Sequence, residues 1–183
     1  MSRAIARPRI INRRTSVTTS IDPAQSGACY ARLSDWKLVI TGIRNRVVFR
    51  AKGVLAARWE NDETILLVIR EEPEDEPVAI RAFRSRVRND WETEDAHGCV
   101  HPSPDCHFVA VEFSLPNSSV AILPAARVVQ DFLVRANLGK STDSIEWIGD
   151  GHTVAVRTSE QVLQWNPGMR QFKKYPVEPE TAD

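Results

Sequence analysis

Five residues able to ligate a borderline metal fall within one short stretch: His97, Cys99, His101, Cys106 and His107. Thiolate and imidazole are preferred ligands of Zn²⁺, and on a strand residues 97, 99 and 101 share one face. A turn at Ser103 to Asp105 would bring His107 beside them. The spacing matches no standard zinc motif, in which paired ligands sit about two to four residues apart on separate knuckles. The competing reading is structural. Cys suits buried strands, and His107 stands at the same distance after an aspartate as His152 does, as a surface residue beside a turn would. Zinc is the one cofactor these residues suggest, and otherwise none is expected.

Other chemistry is thinly supported. Leu138-Gly139-Lys140-Ser141-Thr142 has the glycine, lysine and hydroxyls that end a phosphate-binding loop, but the loop needs a second glycine where Val134 stands. Ser103 lies near His101 and Asp105 without a Gly-x-Ser-x-Gly elbow. Residues adjacent on a strand point to opposite faces, so nearness in sequence does not make a triad. The expectation is a protein that is not an enzyme. The run Glu71, Glu72, Glu74, Asp75 and Glu76, flanked by Pro77, lacks a calcium-loop pattern and reads as a solvated connector. Downstream, Arg84, Arg86 and Arg88 would line one strand face, with Arg81 just before them and Trp91 beside them. Arg84, Arg86, Arg88 and Trp91 are therefore the candidate partner-binding set.

The chain has 183 residues, with 24 Lys and Arg against 24 Asp and Glu and a formal net charge of zero. That balance argues against a surface built throughout for nucleic acid. Arg3, Arg7, Arg9, Arg13 and Arg14 precede the first acid, Asp22, and leave nucleic-acid binding through the basic arm as an alternative. No apolar run approaches the length that crosses a bilayer as a helix, so no membrane role is expected. Three cysteines are too few for a disulfide framework, and no secretory signal opens the chain, so a reducing, cytoplasmic setting is expected.

The elements that must position these residues read as short strands: 36–43, 47–50, 54–59, 64–69, 78–83, 108–113, 120–123, 145–148, 153–156, 162–165 and 172–177. All are rich in β-branched and aromatic residues. The stretch 125–138 carries apolar residues at spacings of three and four, but its Val128-Val129 pair favours a strand over a short helix. A repeat runs through the set. Asn61-Asp62-Glu63 before Thr64-Ile65-Leu66, Pro104-Asp105-Cys106 before Phe108-Val109-Ala110, and Gly149-Asp150-Gly151 before Thr153-Val154-Ala155 are each an acidic turn followed by an apolar strand. A further strand follows each: Val78-Ala79-Ile80, Val120-Ala121-Ile122 and Val162-Leu163-Gln164. Trp59 and Trp147 sit three residues before Asp62 and Asp150 and should pack between units. One such unit cannot cover both its faces, so the units must stack.

Ser103-Pro104-Asp105, Gly149-Asp150-Gly151-His152-Thr153-Val154-Ala155-Val156 and Trp165-Asn166 give residues 54–177 a resemblance to β-propeller repeats of the WD-repeat or TolB-like kind. No Gly-His pair opens a unit and no Trp-Asp closes one. The resemblance implies an all-β fold of antiparallel repeats of three to four strands, arranged as a propeller-like partial ring or fan of blades. Some three and a half units are expected if 36–50 ends a preceding blade. The domain expectation is a flexible basic arm over 1–35, a β-repeat domain over 36–177 and an acidic tail over 178–183. Repeats of this kind build recognition surfaces. The function expected is therefore a non-enzymatic protein-binding module with a protein partner, such as a small bacterial immunity or inhibitor protein. Its exposed sheet edge would favour homo-oligomers. A zinc protein using His97 to His107 is the alternative.

Overall fold

The computed structural model describes residues 20–23, 29–114, 117–149 and 151–177. Asp150, the Arg-rich stretch before residue 20 and the acidic tail after residue 177 lie outside the described residues. Among the described residues the chain is all-β, with sixteen strands and no α-helix. The first sheet holds β1 (Ser20–Pro23), β2 (Tyr30–Ser34), β3 (Lys37–Thr41) and β4 (Val47–Lys52), antiparallel and in chain order. The last holds β13 (Ser144–Ile148), β14 (Thr153–Arg157), β15 (Gln161–Trp165) and β16 (Lys173–Pro176), built the same way.

Between them lies one eight-stranded sheet. It contains β5 (Val54–Asn61), β6 (Thr64–Ile69), β7 (Val78–Arg84), β8 (Trp91–Pro102), β9 (Phe108–Phe113), β10 (Ser119–Pro124), β11 (Val128–Val129) and β12 (Val134–Asn137). Its spatial order is β11-β5-β6-β7-β8-β9-β10-β12, and the β11–β5 pair is parallel. The segment 125–138 thus forms strands rather than a helix. The long strand β8 serves two groups of four. Its start, Trp91 to Asp95, pairs with β7, and its end, Gly98 to Pro102, pairs with β9. A bulge between them leaves His97 at φ 52°.

The three acidic turns connect equivalent strands. Asp62 lies between β5 and β6, Asp105 between β8 and β9, and the Gly149–Gly151 turn between β13 and β14. The third-strand matches fall in β7, β10 and β15. The half unit expected at 36–50 is instead complete. Two further strands, β1 and β2, lie within the segment read as an arm and make four groups of strands among the described residues.

Three apolar clusters stack these groups side by side. The first joins Ala31, Leu33, Leu38 and Ile40 to Val54, Ala57, Trp59, Ile65 and Leu67. The second joins Ala56, Leu66 and Val68 to Val109, Val111, Ala121 and Leu123. The third joins Ala110, Val120 and Ile122 to Val154, Val156, Leu163 and Trp165. Side chains alternate across a strand, so β6 sends Ile65 and Leu67 into one seam and Leu66 and Val68 into the next. The uninterrupted Ile65-Leu66-Leu67-Val68 run marks an interior strand covered on both faces. In β3, by contrast, Leu38 and Ile40 are buried while Lys37, Val39 and Thr41 point away, the pattern of a sheet covered on one side. The curled partial ring has propeller-like character, with the first and last sheets at its two ends.

Two expectations need correction. The arginine stripe does not form a strand face. Strand β7 ends at Arg84, and the chain turns back through Ser85 to Asp90, where the Asn89 amide donates to the Ser85 carbonyl at 2.8 Å. Arg86 and Arg88 sit in that turn, Arg88 pairs with Glu92 at 3.6 Å, and Arg84 donates to Asn89 at 2.5 Å. Trp91 is not an exposed anchor. Its ring packs 5.8 Å from Phe49 and 6.4 Å from Trp59, inside the first seam. Trp59 and Trp147 do pack between units, Trp59 at 1% exposure in the first seam and Trp147 half-buried against the third.

Candidate metal centre

The turn between β8 and β9 is locked by its own side chains. Ser103 Oγ donates to Asp105 Oδ1 at 2.5 Å and accepts from the Phe108 amide at 3.0 Å, while the His107 amide donates to the same Oδ1 at 3.1 Å. This is the backbone-bonding aspartate expected of a tight turn. In the β5–β6 turn that duty falls to Asn61, whose Oδ1 accepts from the Glu63 amide at 2.8 Å. With Oδ1 occupied, Asp105 Oδ2 faces two imidazoles. His107 Nδ1 lies 2.6 Å away, and His152 Nδ1, from the β13–β14 turn, lies 2.9 Å away. The two rings stack with centroids 6.3 Å apart. Their possible ligand atoms all lie within 4.8 Å of one another, close enough for one cation to replace the shared protons.

The seam beneath holds the two turns in register. Trp147 Nε1 donates to the His101 carbonyl at 2.9 Å, and Phe108 packs against Trp147 and, edge-on, Trp165. Gly151, at φ +81°, lies directly on Pro104, and a β-carbon there would sit 3.3 Å from the proline ring. Gly151→Ala is expected to lower stability by about 1–2 kcal/mol, because an L-residue resists this left-handed backbone. It should also push His152 away from Asp105, so a denaturation midpoint and a metal titration on the same sample should both fall.

Partial burial pushes the Asp105 carboxyl up. Hydrogen bonds from Ser103 and from the His107 amide and ring, with the charge of His107, outweigh that and hold it well below the usual carboxylate range. A depressed folded-state value adds stability above the ordinary Asp range near about 3.9, and this is lost as pH falls below it. His101 acts at milder pH. Burial drives its pKa down, Glu112 partly offsets this, and its Nε2 is buried without a hydrogen-bond partner. The unfolded imidazole accepts a proton below about pH 6.5 that the folded one resists, so stability should decline from there downward. His101→Phe should flatten that decline between pH 7.5 and 5.5 in urea midpoints.

Of the five residues singled out from the sequence, only His107 joins this group. His97 is exposed at the β8 bulge, Cys99 and Cys106 are exposed free thiols, and His101 is half-buried facing the third seam. Asp105 and His152 are not among the ligands that the sequence suggests; the repeat that aligns His107 with His152 is the signal that could have found them, since equivalent turns of neighbouring units stand side by side. The group opens on a cleft of about 720 Å³ lined by His107, Phe108, Arg127, His152 and Asn166 among others. That leaves space for water or a ligand at a further coordination position.

No family model and no curated protein matches the chain. Among solved structures it is similar to a putative 6-phosphogluconolactonase from Bacteroides fragilis at 12% identity and TM-score 0.34, covering 91% of this chain and 58% of that one. It is also similar to Kluyveromyces lactis Hsv2p at 10% identity and TM-score 0.35, covering 81% of this chain and 48% of that one. A putative 6-phosphogluconolactonase from Bacteroides uniformis gives 12% identity and TM-score 0.34, with 85% and 53% covered. The chain thus spans about half the length of these structures, and likenesses this distant assign it no activity.

Proposed function

We propose that this protein is a metal-binding β-repeat protein that takes a divalent transition ion, zinc foremost, at Asp105, His107 and His152. The observation that carries this is the convergence of one carboxylate oxygen and two imidazole nitrogens from two neighbouring turns. Two imidazoles and a carboxylate suit zinc, and three protein ligands facing a cleft leave a position for water or a bound ligand. Ser103, bonded to the far oxygen of Asp105, would orient the carboxylate as outer-shell partners do. The proposed role is binding rather than turnover, with the metal joining two repeat units across their seam. Because metal must displace protons from the imidazoles, affinity should weaken in acid. The test is elemental analysis of the full chain after stripping with chelator and dialysis against zinc. About one zinc per chain is expected. A chain that retains none, or an Asp105→Ala/His152→Ala double variant that retains as much as the wild type, overturns the proposal.

A further inference from the structure

The neutral net charge conceals two opposed halves. Residues 1–53 hold 11 Lys and Arg against 2 Asp and Glu, a balance of +9, whereas residues 54–183 hold 13 against 22, a balance of −9. The positive half contains the first sheet, which ends the stack. Its inner face, Ala31, Leu33, Leu38 and Ile40, is buried in the first seam. The register places the remaining side chains in rows on the outer face: Tyr30, Thr41 and Val47 in one, Arg32, Val39 and Arg50 in the next, Ser34, Lys37 and Lys52 in the third. Arg32, Lys37, Arg50 and Lys52 are exposed, and no acid stands in these rows. Tyr30 is 45% exposed at the edge of a cleft of about 630 Å³ that also includes Arg32, Val39, Val47 and Arg50.

We infer that this outer face binds single-stranded nucleic acid. Side chains two apart on a strand stand about 6–7 Å from one another, the reach of one extended nucleotide. Two adjacent cationic rows therefore track successive phosphates. The aromatic ring in the next row supplies a stacking platform, the combination that binds single strands without reading sequence. Charge complementarity selects a polyanion, and the ring beside the cations favours bases over the carboxylates of an acidic protein. The last sheet's outer face carries Arg157 and Lys173 as well as Glu146, so it is a poor counter-surface for a second copy.

The experiment is fluorescence anisotropy of the full chain with a labelled oligothymidylate across a salt series. Arg32→Ala/Arg50→Ala should weaken binding by about tenfold or more and flatten the log–log salt slope by about 1.4, two phosphates at roughly 0.7 each. Tyr30→Ala should weaken it by about tenfold while leaving the slope unchanged. Arg157→Ala, on the last sheet, should change neither, and circular dichroism should confirm that each variant is folded. Absence of binding at low salt overturns the inference. So does an Arg32→Ala/Arg50→Ala variant that binds like the wild type, which would move the contact to the Arg-rich residues before the first strand. Polyglutamate competing as well as the oligonucleotide would make the face an acidic-protein site, and a change of mass in the variant without a change in binding would make it a self-association face; either result also overturns it.

Discussion

Trp59→Ala is expected to destabilise the protein by about 3–5 kcal/mol, the range for removing a fully buried large aromatic side chain. Trp59 is 1% exposed and lies in the seam between the first two groups of strands, with Leu33, Leu38 and Ile40 on one side and Ile65 and Leu67 on the other. Trp91 meets it edge-on and Phe49 closes the far side of Trp91, so the cavity opens in the middle of an aromatic row. Those neighbours belong to strands pinned by ladder hydrogen bonds and cannot collapse into the space. The melting temperature of a chain this size should fall by about 10 °C. The control is Trp36→Ala. That ring is 45% exposed on the β2–β3 turn, and its loss should stay within about 0.5 kcal/mol.

The second large effect concerns zinc. His152→Ala should reduce zinc affinity by at least about 100-fold, since even outer-shell partners contribute about 10–100-fold and this nitrogen is a direct ligand in the proposed site. Competition against a chromophoric chelator measures it. Folding stability in the absence of metal should shift by less than about 1 kcal/mol, because the ring is partly exposed and its link to Asp105 lies at the surface. His97→Asn is the matching control: Asn tolerates the positive φ of that bulge, and the ring lies outside the group. A zinc affinity unchanged in His152→Ala and lost in His97→Asn would relocate the metal to the stretch first suggested by composition.

Strands buried on both faces or alternating cleanly were readable in advance. β6 and β9 were found at their observed bounds because β-branched and leucine runs of this length have no better home than a covered strand. β8 was not found. Its twelve residues include Glu92, Glu94 and Asp95, and its bulge breaks the alternation midway, so no single period runs through it. β1 and β2 were hidden by brevity and by an arginine-rich context that resembles an unstructured arm. At the site, His107 is visible in the sequence as a ligand type, while His152, 45 residues further along, reads as a second surface histidine beside a turn. The alignment that made the two histidines equivalent was itself the signal. In stacked units, matching positions become spatial neighbours, and a polar residue repeated at a turn tip is a pair rather than two independent surface residues.

The sheet shared by the two middle groups has a consequence for how such a chain could have grown or could be cut. A break at the bulge near residue 97 leaves each middle group its own half of β8, but β11, reached only after β10, pairs with β5, so the two groups still depend on one another. The two middle groups are therefore expected to be exchanged or deleted together rather than one at a time.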